Sequence, residues 1–150
     1  FCPVQRLLDA KVNVALGTDG AASNNDLDML GEMRTAALIG KVVAQKDTAV
    51  SAADALRMAT LNGAKAMQWD KETGSLEIGK SADMIAIDLS DANTQPVYNP
   101  ISQIVYAAHQ HQVTDVWVQG KAIMKNRELT TLDEKATLEK AKIWREKIRG

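Results

Sequence analysis

One stretch near the start of the chain constrains the fold more than any other. The apolar run of residues 12–16 stops abruptly at Gly17-Thr18-Asp19-Gly20. A short β-rich run bounded by glycines is typical of a buried strand. Catalytic and binding groups gather at the carboxyl ends of such strands in parallel α/β proteins. Asp19, the last polar side chain of this run, is therefore the first candidate site residue.

Composition and charge exclude several classes of protein. The 150 residues are 45% hydrophobic, enough for one domain with a real core. The 18 basic and 19 acidic residues give a net charge of -1, so no bulk field favours nucleic acid or an anionic membrane. Cys2 has no partner for a disulfide, which fits a reducing compartment. No apolar run reaches the roughly 18 residues that a bilayer requires. These features predict a soluble, cytoplasmic protein with neither nucleic acid nor membrane as a partner.

The first half of the chain reads as helices around the predicted strand. Pro3 suits the first turn of a short helix before the strand. The polar residues 24–26 offer an N-cap for a second helix that begins just beyond Asp19 and runs to about Val43. Ser51 and Asp54 form a capping-box pattern ahead of an Ala-rich helix over residues 52–67.

The second half changes to β patterning. Residues 82–88 alternate as a half-buried strand, and residues 114–119 and 122–125 predict a hairpin around Gly120-Lys121. Pro100 begins a short helix between them. Thr131 and Glu134 form a capping-box pattern, which predicts a last helix. The apolar face of this helix consists of Leu138, Ala141, Trp144 and Ile148.

Three chemical interpretations of Asp19 remain open from the residues alone. As a metal ligand it would supply one hard anionic oxygen. As a phosphoacceptor it would resemble the aspartate of a receiver domain. It could also only cap the next helix or steady the turn. A phosphate-binding loop at Gly17 and Gly20 is disfavoured, because the carboxylate of Asp19 would repel the phosphate.

His109 and His111 invite a second metal interpretation, because alternate residues of a strand project to one face. They follow a predicted helical turn, and neither a cysteine nor a third histidine completes a site. Solvated side chains are therefore the better interpretation. No nucleophile has a base beside it, since Ser23 has no neighbouring histidine.

Four stretches together resemble one family. Residues 14–29, VALGTDGAASNNDLDM, resemble the last barrel strand and following loop of the amidohydrolase superfamily. Within it they are most similar to the 5-methylthioadenosine/S-adenosylhomocysteine deaminases and the related chlorohydrolases. Residues 59–67 and 73–85 agree, and residues 113–120 resemble the hairpin that completes the family's small β-sandwich.

The resemblance implies an α/β fold: the C-terminal portion of a metal-dependent TIM (β/α)8 barrel plus part of an appended β-sandwich domain, ending in a helix. Residues 1–68 would hold the last strand and the C-terminal helices of the barrel. Residues 69–130 would form part of the composite β-sandwich, and residues 131–150 a C-terminal helix that packs back on the barrel.

The implied activity is hydrolytic deamination of the adenine ring of methylthioadenosine or adenosylhomocysteine, in which a metal-activated water attacks and ammonia leaves. Asp19 matches the family aspartate that contacts the metal and accepts a proton from the water. The expected metal is a divalent ion, zinc before others. Ser23 and Asn24 are expected contacts of the purine nucleoside substrate.

The histidine ligands of the family and the glutamate that protonates the purine belong to sequence outside this chain. The chain alone is therefore expected to be inactive and to hold metal weakly, if at all. Its expected partners are the remaining N-terminal part of the enzyme or further copies of itself. Two alternatives stay open: a triazine-type chlorohydrolase or deaminase of the same superfamily, and a non-catalytic structural or partner-binding module.

Overall fold

A computed structural model describes all of residues 1–150 and shows an α/β chain with one antiparallel sheet. The strands pair in the order β1-β2-β3-β4. The helices are α1 (Val4–Asp9), α2 (Met29–Ala44), α3 (Ala52–Ala59), α4 (Leu61–Ala66), α5 (Pro100–Tyr106) and α6 (Glu134–Arg149). The strands are β1 (Met84–Ile87), β2 (Val113–Val118), β3 (Lys121–Lys125) and β4 (Glu128–Leu129).

The hydrophobic core lies among α2, α3 and α5. Leu30, Met33 and Ala37 recur at helical spacing on α2 and face Met58 of α3 and Val105 of α5. These five side chains are all buried. The core therefore forms mainly within a layer of helices, and Ile87 of β1 and Val113 of β2 pack against it from the sheet.

The predicted helix over residues 52–67 is divided in two at Thr60. Its capping box is confirmed: the Asp54 N–H donates to Ser51 Oγ, and Ser51 N–H donates to the Asp54 carboxylate. Thr60 leaves helical geometry, with φ -126° and ψ -97°, and its hydroxyl donates to the Leu56 carbonyl at 2.7 Å. This side-chain hydrogen bond competes with the helical ladder, and a new helix starts at Leu61.

Two other helix starts differ from prediction. The second helix begins at Met29 instead of just beyond Asp19, because Asp28 and not residues 24–26 accepts the first free N–H group. The last helix is capped by Asp133, whose carboxylate accepts from the Ala136 N–H at 2.9 Å. In both cases the acidic residue directly before the helix provides the cap.

The predicted hairpin is confirmed as β2 and β3, with its turn one residue earlier than expected. Gln119 and Gly120 both have positive φ, 51° and 76°, which is the backbone of a type I′ turn. Lys121 already pairs with Val118. The two-residue strand β4 was not predicted.

The three-part division of the chain stays a prediction, but two contacts bear on it. Helix α5, which lies within residues 69–130, packs on α2 and α3 and belongs to the core. Helix α6 buries none of its residues in this chain. No helix has both the length and the apolar composition that crossing a membrane requires.

Candidate active-site strand and loop

The segment that ends at Asp19 keeps the alternation of a strand but forms no ladder. Val14 and Leu16 are half-buried and pack against the helical core, whereas Ala15, Gly17 and Asp19 between and after them are exposed. No strand is assigned here, contrary to prediction. The reason is that a ladder needs a second strand, and none of β1–β4 pairs with this segment.

The helical layer holds this segment in place instead. The Leu16 N–H donates to the Met58 carbonyl at 3.0 Å. The Asn62 side chain donates to the Val14 carbonyl at 2.9 Å, and the Asn62 backbone carbonyl accepts from the Asn13 side chain at 3.0 Å. Three hydrogen bonds therefore fix the extended segment before Asp19 onto α3 and α4.

Sequence reasoning missed Asn62. Asparagine is a poor residue inside a helix, and it stands at the second position of α4 in an otherwise Ala-rich run. An amide in such a place is a signal that its side chain bonds to another part of the chain.

Asp19 sits in a sharp bend of the backbone. Its φ is 60°, in the left-handed region that aspartate tolerates better than most residues. The Gly20 N–H donates to Asp19 Oδ1 at 2.7 Å, and the Thr18 hydroxyl donates to the Asp19 carbonyl at 3.1 Å. The second carboxylate oxygen has no partner within the chain, and the residue is exposed. One oxygen is thus oriented by the backbone while the other is free to bind.

Ser23 and Asn24, the two expected substrate contacts, lie in the loop after Asp19 and differ in their side-chain hydrogen bonds. The N–H groups of Ser23 and Asn24 both donate to the Gly20 carbonyl at 2.9 Å, which closes a turn. Ser23 is exposed, and its hydroxyl makes no hydrogen bond in the chain. The Asn24 amide instead donates to Glu32 at 2.8 Å, and its oxygen accepts from the Asp26 N–H at 3.3 Å.

The chain fits a metal only as the provider of one ligand. A catalytic zinc takes about three protein ligands and keeps one position open. No three His, Cys, Asp or Glu residues of this chain come together in a way that could hold a metal ion. Asp19 can supply a single carboxylate oxygen, so further ligands would have to come from outside these 150 residues.

His109 directly precedes a short 3₁₀ turn, His111 lies within it, and both are exposed. Their rings stack with centroids 5.7 Å apart, and Nε2 of His111 lies 3.7 Å from a carboxylate oxygen of Asp91. Gln110 between them donates to Asp26 at 2.9 Å, which ties the loop after Asp19 to the start of β2.

The carboxylates with displaced pKa values lie in the second half of the chain. The pKa of Asp83 is lowered by the Gln119 N–H and then by the Thr73 hydroxyl, both of which donate to it. Asp83 thereby joins the segment before β1 to the hairpin turn. This carboxylate has the contacts of a structural group, not of an acid or base.

A cleft of about 860 Å³ separates α3 and α4 from the sheet. Its walls are mostly apolar and include Leu61, Met67, Trp69 and Trp117. Asp19 does not line this cleft.

Comparison with known proteins now adds to this geometry. The sequence profile described as "Amidohydrolase family" matches residues 1–123. The chain is 54% identical over 147 residues to a 5-methylthioadenosine/S-adenosylhomocysteine deaminase of Teredinibacter turnerae, covering 98% of this chain and 33% of the relative. It is 51% identical over 150 residues to the protein of that name in Saccharophagus degradans, covering 100% and 34%. The chain thus spans about a third of the length of these curated relatives.

Solved structures agree with the sequence relatives. An adenosine deaminase from Xanthomonas campestris with bound zinc superposes with a TM-score of 0.96 at 52% identity, over 99% of this chain and 34% of that one. Atrazine chlorohydrolase TrzN from Arthrobacter aurescens TC1, complexed with zinc, has a TM-score of 0.86 at 27% identity, over 94% and 31%. These likenesses fit a part of a TIM barrel, and with the profile match they show that the chain belongs to the amidohydrolase family.

Proposed function

We propose that this chain is the C-terminal third of a metal-dependent hydrolase that deaminates the adenine ring of 5-methylthioadenosine or S-adenosylhomocysteine. One observation carries the proposal: relatives of that name are 44–54% identical over nearly the whole chain. The region they share includes the strand that ends at Asp19 and the loop that follows. In this proposal residues 1–68 complete a barrel, and the antiparallel sheet forms part of a β-sandwich.

Asp19 has the geometry that the chemistry needs. A divalent metal, zinc in the proposal, would lower the pKa of a bound water towards neutrality. Asp19 would contribute one ligand oxygen and accept the proton of the attacking water, since one of its oxygens has no partner in the chain. The hydrogen bond from the Gly20 N–H orients the carboxylate for that role.

The loop from Gly20 to Asp26 would lie on the substrate side of Asp19. The free hydroxyl of Ser23 is available for a purine nucleoside. The Asn24 side chain is already engaged by Glu32 and Asp26, so its contribution to substrate binding is treated separately below.

The test is ammonia release from methylthioadenosine and adenosylhomocysteine by the whole polypeptide loaded with zinc. The wild type should release one ammonia per nucleoside, and Asp19→Asn should lower kcat by about 10²–10⁴, the range of a lost general base. The melting temperature of the isolated chain should not change, because Asp19 is exposed in it. Absence of ammonia from both nucleosides would refute the proposed reaction.

The chain alone should release no ammonia, since no three of its His, Cys, Asp or Glu residues come together to hold a metal ion. Mixing it with the remaining part of the polypeptide should restore activity if the two associate. Activity of the isolated chain would contradict this division of the site. Mass spectrometry under native conditions would show whether the chain also associates with itself.

A second candidate is hydrolysis of a chlorinated or amino-substituted triazine. The likeness to atrazine chlorohydrolase TrzN favours it, but at 27% identity against 52% for the adenosine deaminase structure. The same assay with atrazine distinguishes the two: chloride or amine release without ammonia from the nucleosides would select the triazine reaction.

A further inference from the structure

A continuous set of hydrogen bonds runs from α2 to the carboxylate of Asp19. Glu32 accepts from the Asn24 side chain at 2.8 Å, the Asn24 N–H donates to the Gly20 carbonyl at 2.9 Å, and the Gly20 N–H donates to Asp19 at 2.7 Å. Asn24 also accepts from the Asp26 N–H, so its side chain contacts both the loop and the helix. The Asn24 side chain therefore attaches the loop to α2, a helix whose inner face is part of the core.

Glu32 is well placed to hold that side chain. It lies in the first turn of α2, where the partial positive charge of the helix N-terminus favours a carboxylate. It is half-buried, and the adjoining Leu30 and Met33 are part of the core, so its backbone cannot move far. An amide that donates to a carboxylate makes a stronger hydrogen bond than one that donates to a neutral group.

We propose that Glu32 is a positioning residue of the active site and that it acts through Asn24. In this arrangement the role of Asn24 is to hold the loop and not to bind the substrate, since each polar atom of its side chain makes a hydrogen bond within the chain. It sets the turn from Gly20 to Asp26 and so aims the free hydroxyl of Ser23. The proposal rests on the proposed function for its kinetic arm but predicts loop order independently of it.

The pair Asn24 and Glu32 allows an exchange of donor and acceptor. Asn24→Asp alone puts two carboxylates where the structure has an amide 2.8 Å from one. Adding Glu32→Gln turns the pair round, because the new amide at position 32 can donate to the new carboxylate at position 24. The acceptor for the Asp26 N–H remains in every variant at position 24.

The experiment uses the whole polypeptide with zinc and compares the wild type with Asn24→Asp, Glu32→Ala, Glu32→Gln and the double variant. KM should rise about tenfold in Asn24→Asp and Glu32→Ala, the factor that one net hydrogen bond corresponds to. Glu32→Gln, which keeps an acceptor oxygen, and the double variant should stay within about threefold of the wild type. The value of kcat should change less than KM, since Asp19 itself is untouched. Glu128→Ala is the matched control, because Glu128 is an exposed carboxylate of β4.

Hydrogen exchange at the amides of Ser23, Asn24 and Asp26 gives a readout that needs no turnover. Protection should fall in Asn24→Asp and Glu32→Ala and return in the double variant. If the double variant stays as impaired as Asn24→Asp in KM and in exchange, Asn24 binds the substrate directly and the proposal is wrong. If the wild type releases no ammonia, the proposed reaction fails, and the exchange data alone decide the role of Glu32.

Discussion

The helical layer of this chain buries apolar side chains, whereas the sheet leaves its own partly or fully exposed. Helices α2, α3 and α5 bury a contiguous set of side chains around Met58 and Val105. No residue of β1–β4 or α6 is buried, and Ile78 and Ile148 near them are almost fully exposed. Burial of apolar area is the main stabilising term of a fold, so the helical layer holds the stable core of this chain and the sheet does not. The outer face of α2 still exposes Leu38 and Val42, at 51% and 76%.

The candidate site lies on the helical layer, which holds the segment before Asp19 in place. The segment before Asp19 has no strand partner, yet it is held by Met58 and Asn62 of the helical layer. Loop residues then connect to Glu32 on α2. Asp19, the proposed metal ligand, is therefore positioned by this chain alone.

The largest loss of stability is expected when the centre of the helical core is removed. Met58→Ala should lower the free energy of unfolding by about 2–5 kcal/mol, because it leaves a cavity at a fully buried position. Urea unfolding of the chain measures it. Met67→Ala is the control: Met67 is 61% exposed, and its change should stay within about 0.5 kcal/mol. Equal losses from the two variants would mean that the helical layer is not the stable region.

A smaller loss of stability is expected when a methyl group is added at Gly40, where α2 packs closely on Val50. A Cβ at Gly40 would lie 2.4 Å from Val50 Cγ2, so Gly40→Ala should destabilise by about 1–3 kcal/mol despite its better helix propensity. At Gly63 of α4 the nearest atom is 4.0 Å away, and Gly63→Ala should stabilise by about 0.5–1 kcal/mol. Thermal unfolding distinguishes the two signs. A stabilising Gly40→Ala would show that α2 and Val50 are not in close contact.

Lowering the pH should loosen the sheet before the helical layer. The Gln119 N–H and the Thr73 hydroxyl keep the pKa of Asp83 below its ordinary value of 3.8, so this carboxylate stabilises the fold above that pH. The contribution is lost as the pH falls from there through the lowered folded-state pKa. Hydrogen exchange should therefore show β1 and the hairpin turn loosening in acid before α2 does.

Asp83→Asn supplies the control for the acid experiment. In this variant the hairpin turn should already exchange quickly at neutral pH. Its exchange should not rise further as the pH falls through the range in which carboxylates titrate. A wild-type acid step that survives in Asp83→Asn would assign the effect to another group, such as Asp88, whose pKa the Ser90 hydroxyl lowers.

The smallest effect on the isolated chain is expected at α6. Trp144 is 62% exposed, so Trp144→Ala should change the stability of the isolated chain by no more than about 0.5 kcal/mol. If α6 packs back on a barrel, as predicted, the same change in the whole polypeptide should cost about 3–5 kcal/mol, the loss for a buried Trp. Thermal unfolding of both forms tests this. An equally small loss in both would mean that no surface covers Trp144.

Local signals in the sequence predicted most of the elements but not their limits. Pro100 and the Ser51–Asp54 capping box gave correct helix starts, because their effect is confined to one helical turn. Thr60 was missed as a helix break, since threonine stops a helix only where its hydroxyl finds a better partner than the ladder. The cap at Asp28 was not predicted, because residues 24–26 are also polar and can also cap a helix.

The candidate site was predictable as a residue but not as an arrangement. Asp19 stands out from the sequence because an apolar run ends at it between two glycines. The partners of that run, Asn62 and Met58, lie more than 40 residues away, and no local pattern relates them. Glu32 reads as an ordinary first-turn acid until its contact with Asn24 is seen.

The sequence by itself determined where the chain alternates, where it caps and which carboxylate ends the apolar run, because these depend on neighbours within a few residues. Only the tertiary structure decided that this run is held by helices and not by a strand, that Asn24 is engaged while Ser23 is free, and that the sheet and α6 remain uncovered. The physical reason is that hydrogen-bond partners and buried area are set by which distant surfaces meet, and a linear pattern contains no distance between them.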